Sequence, residues 1–395
     1  MSVENPWLLP QGIEEILPER AEHIDRLCRQ IVDCLHGWGY ELVMPPLIDY
    51  IESLLTGSGN DLDLKTFKLT DQISGRMMGV RADMTPQVAR IDAHSLKRET
   101  PTRLCYVGQV LHTRADGFAG NRSPLQVGAE LYGFAGKESD VEVIQLLVEC
   151  LKVTGNNDIY LDLGNVAVFR GLTEHAGLSQ AQQSALFDVM QRKAIPELHT
   201  LMQDWQIAED VHEMFLQLIE LNGDVSVLES ARERLAGAPE KVLAAIDTLA
   251  DIAADIQKLL PQVKLNIDFA ELRGYHYHTG LVFCAYLAGH GQAVAWGGRY
   301  DDIGADFGRA RPATGYSLDL NALINLSAIE VQKVAAISAP YAPDDVSLQE
   351  MIMALRSDGR RVIQMLPEQQ GSVTDMGCTQ KLVNDAGTWT LVSID

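Results

Sequence analysis

The chain lacks the features that mark membrane-spanning and secreted proteins. Among its 395 residues, no apolar run approaches the roughly 18 residues that a membrane span needs. The first residues, Met1 to Trp7, have neither the basic start nor the apolar stretch of a signal peptide. We therefore expect a cytoplasmic protein without a membrane partner.

Motifs for metals, cofactors and phosphates are also missing. The six cysteines form no CxxC pair and show no metal-ligand spacing, so we expect them to be small buried residues. Gly57-Ser58-Gly59 lacks the third glycine of a dinucleotide-binding loop, and no Walker-type phosphate loop occurs. We predict no metal site and no cofactor.

Positive charge is scarce. The chain has 32 Lys and Arg residues against 54 Asp and Glu residues, which gives a formal net charge of −22. A chain this acidic repels phosphate backbones, and no stretch rich in Lys and Arg offsets the repulsion. We therefore expect no nucleic-acid partner, and the excess acid is most simply a solvated surface.

Hydrophobic periodicity indicates an α+β protein. Apolar residues at three-and-four spacing predict a helix over 15–38, and a strand follows at 40–44. Further strands are predicted at 66–69, 76–81, 103–112, 125–134, 158–163, 264–269, 281–287, 293–296 and 313–318. Helices are predicted at about 85–97, 138–153 and 319–329, and an all-helical insertion at about 171–260.

The pattern predicts two domains. Residues 1–330 form a mostly antiparallel sheet with helices on one side, interrupted by the helical insertion. Residues 331–395 form a small C-terminal α/β domain, with strands at 334–338, 361–366 and 389–394 and a helix at 346–357.

Polar side chains stand inside segments that otherwise look buried. Gln126 and Glu130 are four residues apart, so in a strand both face the same way, and Asp83 and Thr85 are expected to share a face likewise. Carboxylates and amides near an arginine suit a small zwitterion, because an ammonium pairs with carboxylates and a carboxylate with guanidinium. On spacing alone, edge or surface groups satisfied by water are the simpler interpretation.

These stretches resemble the core of class II aminoacyl-tRNA synthetases, and specifically the histidyl-tRNA synthetase family. Arg81–Thr85 is similar to its RPEGT signature, and Tyr106–Leu111 with Gln126–Glu130 is similar to its motif 2. Arg273–Tyr277 resembles its histidine loop, and Gly297–Asp301 resembles its GGRYDGL stretch. The resemblance covers roughly residues 7–325 and implies a class II synthetase-like antiparallel sheet.

The resemblance implies a pocket for a histidine-like ligand. The positions that hold histidine in the family correspond here to Asp83, Thr85, Gln126, Glu130, Arg273, Tyr277 and His278. Two of them depart from the family pattern: Asp83 shortens a glutamate, and His278 replaces a tyrosine near the imidazole.

The corresponding ATP site is degenerate. The motif 2 arginine that grips the α-phosphate is replaced by His112, its neighbouring glutamate by Arg114, and the motif 3 arginine by Ala322. Losing one preorganised charge stabiliser costs about 2.7–4 kcal/mol in a transition state. We therefore predict no catalytic residues and a loss of aminoacylation.

The sequence keeps the synthetase-like motifs but lacks the arginines of the ATP site. In this combination it resembles the family of ATP phosphoribosyltransferase regulatory subunits. That resemblance implies a non-catalytic subunit that partners the short-form catalytic subunit in the first step of histidine biosynthesis and in feedback regulation by L-histidine. It also implies a homodimer within a hetero-oligomer. The seam would run along the first helix and residues 40–46, where Trp7, Leu8, Leu9 and Trp38 serve either the seam or the core.

Two alternatives stay open. The chain could be an active histidyl-tRNA synthetase, which histidine-driven exchange between ATP and pyrophosphate would reveal. It could also be a synthetase-like protein that binds another amino acid or partner, which an unbiased pull-down would separate from a regulatory subunit.

Overall fold

The structure is a computed structural model that describes residues 7–56, 60–115, 121–272, 277–327 and 335–394. The chain divides into two units, residues 1–329 and residues 330–395. That these units are independently folding domains stays a prediction. Within the described ranges, no helix is long and apolar enough to cross a bilayer.

The strands follow the chain in this order. They are β1 (Glu41–Leu42), β2 (Ile48–Tyr50), β3 (Phe67–Thr70), β4 (Met77–Val80), β5 (Thr102–Gln109), β6 (Leu125–Tyr132), β7 (Ile159–Asn165), β8 (Asn222–Gly223), β9 (Lys264–Asp268), β10 (Leu281–Leu287), β11 (Ala295–Arg299), β12 (Ala313–Asp319), β13 (Ala336–Ala339), β14 (Arg361–Gln364), β15 (Cys378–Asp385) and β16 (Thr388–Ser393).

The helices lie between and beside these strands. They are α1 (Pro18–Gly37), α2 (Ile51–Leu54), α3 (Asn60–Lys65), α4 (Thr85–Arg90), α5 (Lys137–Lys152), α6 (Val166–His175), α7 (Gln180–Gln191), α8 (Ile195–Asp204), α9 (Glu209–Glu220), α10 (Val227–Arg234), α11 (Glu240–Leu259), α12 (Leu320–Leu326) and α13 (Val346–Ser357). A π-helical segment, Ile91–Leu96, continues α4.

A nine-stranded sheet organises the first unit, in the order β1-β5-β6-β12-β11-β10-β7-β9-β8. Its pairings are antiparallel except between β1 and β5 and between β7 and β9. The predicted antiparallel sheet is thus confirmed for the centre of the fold. A smaller sheet, β2-β4-β3, precedes α4 along the chain.

Alternating side chains of β5 separate two cores. Cys105 packs into the main core, together with apolar residues of α1 and α5. Leu104 and Tyr106 point to the other face, where they join Val88 of α4. Helices therefore cover both faces of the sheet. The expectation that all helices lie on one side is wrong for α4, because its apolar residues are buried on the opposite face.

Helix α1 shows how sequence dictates these faces. Ile24, Leu27, Ile31 and Leu35 recur every three or four residues and are all buried, which is the stripe that packs an amphipathic helix against a core. Pro18 lies in the first turn, where its missing N–H costs no helical hydrogen bond.

The insertion is helical from α7 to α11, with one exception. Ser179 and Gln182 form a capping box that begins α7. The exception is β8, whose residues Asn222 and Gly223 pair with β9 at the edge of the large sheet. Helicity also begins before the predicted boundary at 171, since α6 starts at Val166.

The second unit is a four-stranded sheet in the order β14-β13-β15-β16. Strands β14, β13 and β15 are parallel, and β16 is antiparallel to β15. Helix α13 buries Leu348 and Ile352 against Ile337, Val362 and Leu382 of this sheet. Asp345 caps the helix by accepting a hydrogen bond from the N–H of Leu348, 3.0 Å away.

Candidate functional site

Glu130 lies at the centre of a buried hydroxyl network. Strand β6 carries its side chain to the α4 face of the sheet, where it is 1% exposed. Its Oε1 accepts hydrogen bonds from the hydroxyls of Tyr106 (2.9 Å) and Thr85 (3.2 Å), and Oε2 accepts one from Tyr300. Gly315 of β12 faces Glu130, and a Cβ there would lie 1.6 Å from Oε2. Only a glycine leaves room for this carboxyl group.

The surroundings of Glu130 favour its neutral form in the free protein. Burial raises the pKa of Glu130 to about 8, although the hydroxyls of Tyr300 and Tyr106 work in the opposite direction. A buried carboxyl group ionises readily only when a cation or a strong donor reaches it. Glu130 is therefore suited to a ligand that brings an N–H donor or a positive charge.

Asp83 and Gln126 form a second polar layer. The Gln126 amide donates to Asp83 Oδ1 over 2.7 Å, and its own carbonyl accepts from the N–H of Met84 over 3.0 Å. The N–H of Thr85 also donates to Asp83 Oδ1, over 3.0 Å. The expectation that Asp83 and Thr85 share a strand face is wrong, because β4 ends at Val80 and α4 begins at Thr85. A turn, and not strand alternation, brings them together.

Tyr277 and His278 approach from the segment before β10. Their ring centroids lie 4.2 Å apart, and the His278 ring lies 6.4 Å from that of Tyr300. His278 is buried against Gly298, where a Cβ would lie 2.8 Å from the imidazole. Arg273, the predicted partner for a carboxylate, lies outside the described residues.

A cleft of about 980 Å³ opens beside these layers. Asp83, Gln126 and Tyr277 line it, and so do His112 and Ala322 from the predicted nucleotide side. The cleft therefore brings residues of the predicted histidine-like pocket and residues of the degenerate ATP site to one surface. Thr85, Glu130 and His278 form the deeper layer behind Asp83.

The nucleotide half of the cleft has no preorganised phosphate grip at the three degenerate positions. The His112 Nε2 donates a hydrogen bond to the carbonyl of Ala82 over 2.9 Å, so the imidazole is tied to main chain. Arg114 is exposed, and Ala322 is a small apolar residue in α12. Burial raises the pKa of nearby Asp319, which caps α12 through the N–H of Asn321.

The charges along the cleft also disfavour a triphosphate. Glu14, Asp83 and Asp319 line it together with Arg20 and Lys65. Arg20 already donates to Glu14 over 2.9 Å, which offsets its charge. A polyanion in this cleft would meet acids as well as bases and would gain little Coulomb energy.

Two motif arginines serve the fold and not the cleft. Arg81 is buried and donates to the carbonyls of Pro45 (2.7 Å) and Gln109 (2.9 Å). Arg299 forms a buried ion pair with Asp140, with Nη2 2.9 Å from Oδ2. The resemblance in these stretches therefore includes residues that hold the fold together.

Sequence reasoning missed two partners of Glu130. Tyr106 lies in the stretch that resembles motif 2, and Tyr300 lies in the Gly297–Asp301 stretch. The sequence did not predict either tyrosine as a site residue. Tyr106 was predictable, because it lies two residues from Leu104 on the same face of β5, and Leu104 pairs directly with Glu130. Tyr300 is 170 residues from Glu130 along the chain, so only the tertiary fold brings its hydroxyl there.

Comparisons with known proteins identify the fold and the family. The family model for histidyl-tRNA synthetase matches residues 12–323, and the model for the ATP phosphoribosyltransferase subunit HisZ C-terminal domain matches residues 334–392. A crystal structure described as an ATP phosphoribosyltransferase regulatory subunit/histidyl-tRNA synthetase from Bacillus halodurans has a TM-score of 0.83 at 24% identity and covers 94% of this chain and 96% of its own. Histidyl-tRNA synthetase from Nostoc sp. PCC 7120 has a TM-score of 0.77 at 17% identity, covering 99% and 97%. Both confirm the predicted class II synthetase-like fold.

Relatives of higher identity are regulatory subunits. The chain is 56% identical over 399 residues to the ATP phosphoribosyltransferase regulatory subunit of Thioalkalivibrio sulfidiphilus, with 100% of both chains covered. It is 50% identical over 397 residues to that of Pseudomonas syringae pv. syringae, again with 100% of both covered. The chain therefore belongs to the family of ATP phosphoribosyltransferase regulatory subunits.

Proposed function

We propose that this regulatory subunit binds L-histidine in the pocket around Glu130 and passes the binding event to a short-form catalytic subunit. Its family membership makes it a non-catalytic subunit that acts in histidine biosynthesis. The observation that carries the ligand proposal is the buried carboxyl group of Glu130, held by three hydroxyl donors behind the cleft. The cytoplasmic localisation expected from the sequence stays a prediction.

The two polar layers suit the two ends of histidine. Asp83 and the Gln126 carbonyl lie at the cleft and offer acceptors to an ammonium group. The deeper layer offers Glu130 to an imidazole N–H, and the rings of Tyr300 and His278 give that imidazole an aromatic enclosure. From the family resemblance, Arg273 is the proposed partner of the ligand carboxylate.

Feedback requires more than binding. A ligand shifts a complex only by the difference between its affinities for two states of that complex. We propose that the histidine-bound and histidine-free forms of this chain differ in how they support the catalytic partner. The test is turnover of the catalytic subunit measured with and without this chain, and with and without histidine.

An active synthetase is the competing function, and its signature is measurable. Two missing arginines, at about 2.7 kcal/mol or more each, predict adenylate formation at least about 10⁴-fold slower than in an enzyme that has both. We expect histidine-driven ATP–pyrophosphate exchange to be undetectable in the purified chain. Exchange within a hundredfold of an authentic histidyl-tRNA synthetase, assayed in parallel, would contradict the proposal.

We also propose that the chain self-associates through an apolar strip formed by Leu42, Met44, Leu47 and Ile48. Met44 is 82% exposed and Leu47 is 52% exposed, and both follow β1, the exposed edge strand of the large sheet. Contiguous exposed apolar residues of this kind mark interaction surfaces. Of the residues named from the sequence for the seam, Trp7, Leu8 and Leu9 are exposed, while the Trp38 indole donates to Glu149 of its own chain.

Charging the strip should separate the two copies. The double change Met44→Glu and Leu47→Glu places carboxylates in the proposed seam and should weaken self-association by at least about 30-fold, or about 2 kcal/mol. Analytical ultracentrifugation measures this shift. Leu259→Glu, at an exposed position in α11, is the matched control and should leave the association constant unchanged. An unchanged constant in the double variant would place the seam elsewhere.

A further inference from the structure

Two cysteines face each other where α1 meets α5. The sulfur of Cys34 lies 4.0 Å from that of Cys150, although 116 residues separate them along the chain. Cys150 is fully buried and also accepts a hydrogen bond from the Tyr316 hydroxyl over 3.2 Å. Cys34 is only half-buried, so one member of the pair is reachable from solvent and the other is not.

The two thiols differ in reactivity. The Cys150 thiol donates to the Cys34 sulfur, and this hydrogen bond lowers the pKa of Cys34 against the opposing effects of burial and Glu149. The pKa of Cys150 is raised, through its hydrogen bond with Cys34 and through burial. Cys28 lies on the same helix and is also half-buried, but there burial raises the thiol pKa. Cys34 is thus the more readily ionised of the two half-buried thiols on α1.

We propose that Cys34 is an oxidant-modified residue and that Cys150 resolves it into a disulfide joining α1 to α5. An accessible thiolate beside a resolving thiol is the arrangement by which proteins trap peroxides reversibly. This site is separate from the histidine pocket and does not depend on the proposed ligand.

The chemistry balances with hydrogen peroxide as the oxidant. The Cys34 thiolate attacks one peroxide oxygen, the O–O bond breaks, and the leaving hydroxide takes a proton to become water. The Cys34 sulfenic acid is then attacked by the Cys150 sulfur. An S–S bond forms, the S–O bond breaks, and the hydroxyl leaves with the Cys150 proton as a second water. Thiol reductants reverse the reaction by exchange.

Peptide mapping of the full-length, unmodified sequence is the primary test. The protein is treated with hydrogen peroxide, quenched with an alkylating agent and digested without reduction. We expect a peptide pair linked through Cys34 and Cys150, two hydrogens lighter than the separate peptides, and loss of two of the six free thiols. Reduction should restore both thiols. Peroxide-treated protein that keeps Cys34 and Cys150 as thiols would overturn the proposal.

Variants separate the attacking residue from the resolving residue. Cys150→Ala should leave a Cys34 sulfenic acid that a 1,3-diketone probe captures, whereas Cys28→Ser should give the linked pair in unchanged yield. Cys34 should label about threefold or more faster than Cys28, since its gain in thiolate fraction is partly offset by lower nucleophilicity. Equal labelling of Cys28 and Cys34, or a sulfenic acid on Cys34 without the linked pair in the unmodified sequence, would overturn the proposal.

Discussion

Replacing Glu130 with glutamine is expected to weaken L-histidine binding by about 10- to 100-fold. The change keeps the size of the side chain but removes the charge that would accept an imidazole N–H, and a hydrogen bond to a charged group contributes about 1.5–3 kcal/mol. Isothermal titration calorimetry with the full chain measures the loss directly. Glu149→Gln is the matched control, because Glu149 contacts Trp38 and lies outside the pocket.

The pH dependence of that titration separates a ligand contact from a purely structural role. Free imidazole titrates near pH 6.5, and Glu130 titrates near pH 8 in the free protein. Between these pH values the free imidazole and the free Glu130 carboxyl group together hold one titratable proton. The hydrogen-bonded pair in the complex also holds one, so binding neither takes up nor releases a proton. Affinity should therefore be flat there and fall by up to about tenfold per pH unit on either side. A pH profile identical in Glu130→Gln would contradict contact between Glu130 and the ligand.

The same substitution should also stabilise the ligand-free protein at alkaline pH. The pKa of Glu130 is raised from 4.5 to about 8 by folding, so the folded chain holds a proton that the unfolded chain has released. The contribution of Glu130 to the free energy of unfolding is then fully present below about pH 4.5 and is lost as the pH rises towards 8. At about 1.4 kcal/mol per pH unit, the loss amounts to roughly 3–5 kcal/mol. Glutamine does not titrate, so the Glu130→Gln variant does not lose this unfolding free energy.

Denaturant unfolding at pH 5 and pH 9 tests this linkage. The difference in unfolding free energy between Glu130→Gln and the unmodified chain should shift in favour of the variant by about 4 kcal/mol between the two pH values. Tyr300→Phe is a useful companion, since it removes one hydroxyl donor but leaves the carboxyl group in place. A difference that does not change with pH would mean that Glu130 is ionised in the folded state.

Local sequence patterns predicted the strands and helices that carry the site, because side-chain alternation is a local property. Gln126 and Glu130 do share a face of β6, and both are buried. The helix predicted over 85–97 exists, but it changes to a π-helix at Ile91 and ends at Lys97, whose φ of 51° is left-handed. The sequence gives no local signal for that change.

The sequence did not predict several strands and element boundaries that depend on residues far away along the chain. Strand β15 was missed because its partners, β13 and β16, define it more than its own weak alternation does. Strand β5 ends at Gln109 and not at 112, and His112 instead forms an isolated bridge with Thr66. Helix α6 begins at Val166, before the predicted boundary at 171, although Asn165, whose side chain accepts from the N–H of Ala167, offers a capping signal.

The most direct test of the histidine proposal is a histidine titration of the assembled enzyme. A short-form catalytic subunit is assayed with this chain, either unmodified or carrying Glu130→Gln, while L-histidine is raised. We predict that the chain increases turnover, that histidine inhibits the complex, and that the variant needs at least about tenfold more histidine for half-inhibition. Equal half-inhibition concentrations for the two complexes would contradict a feedback site at Glu130.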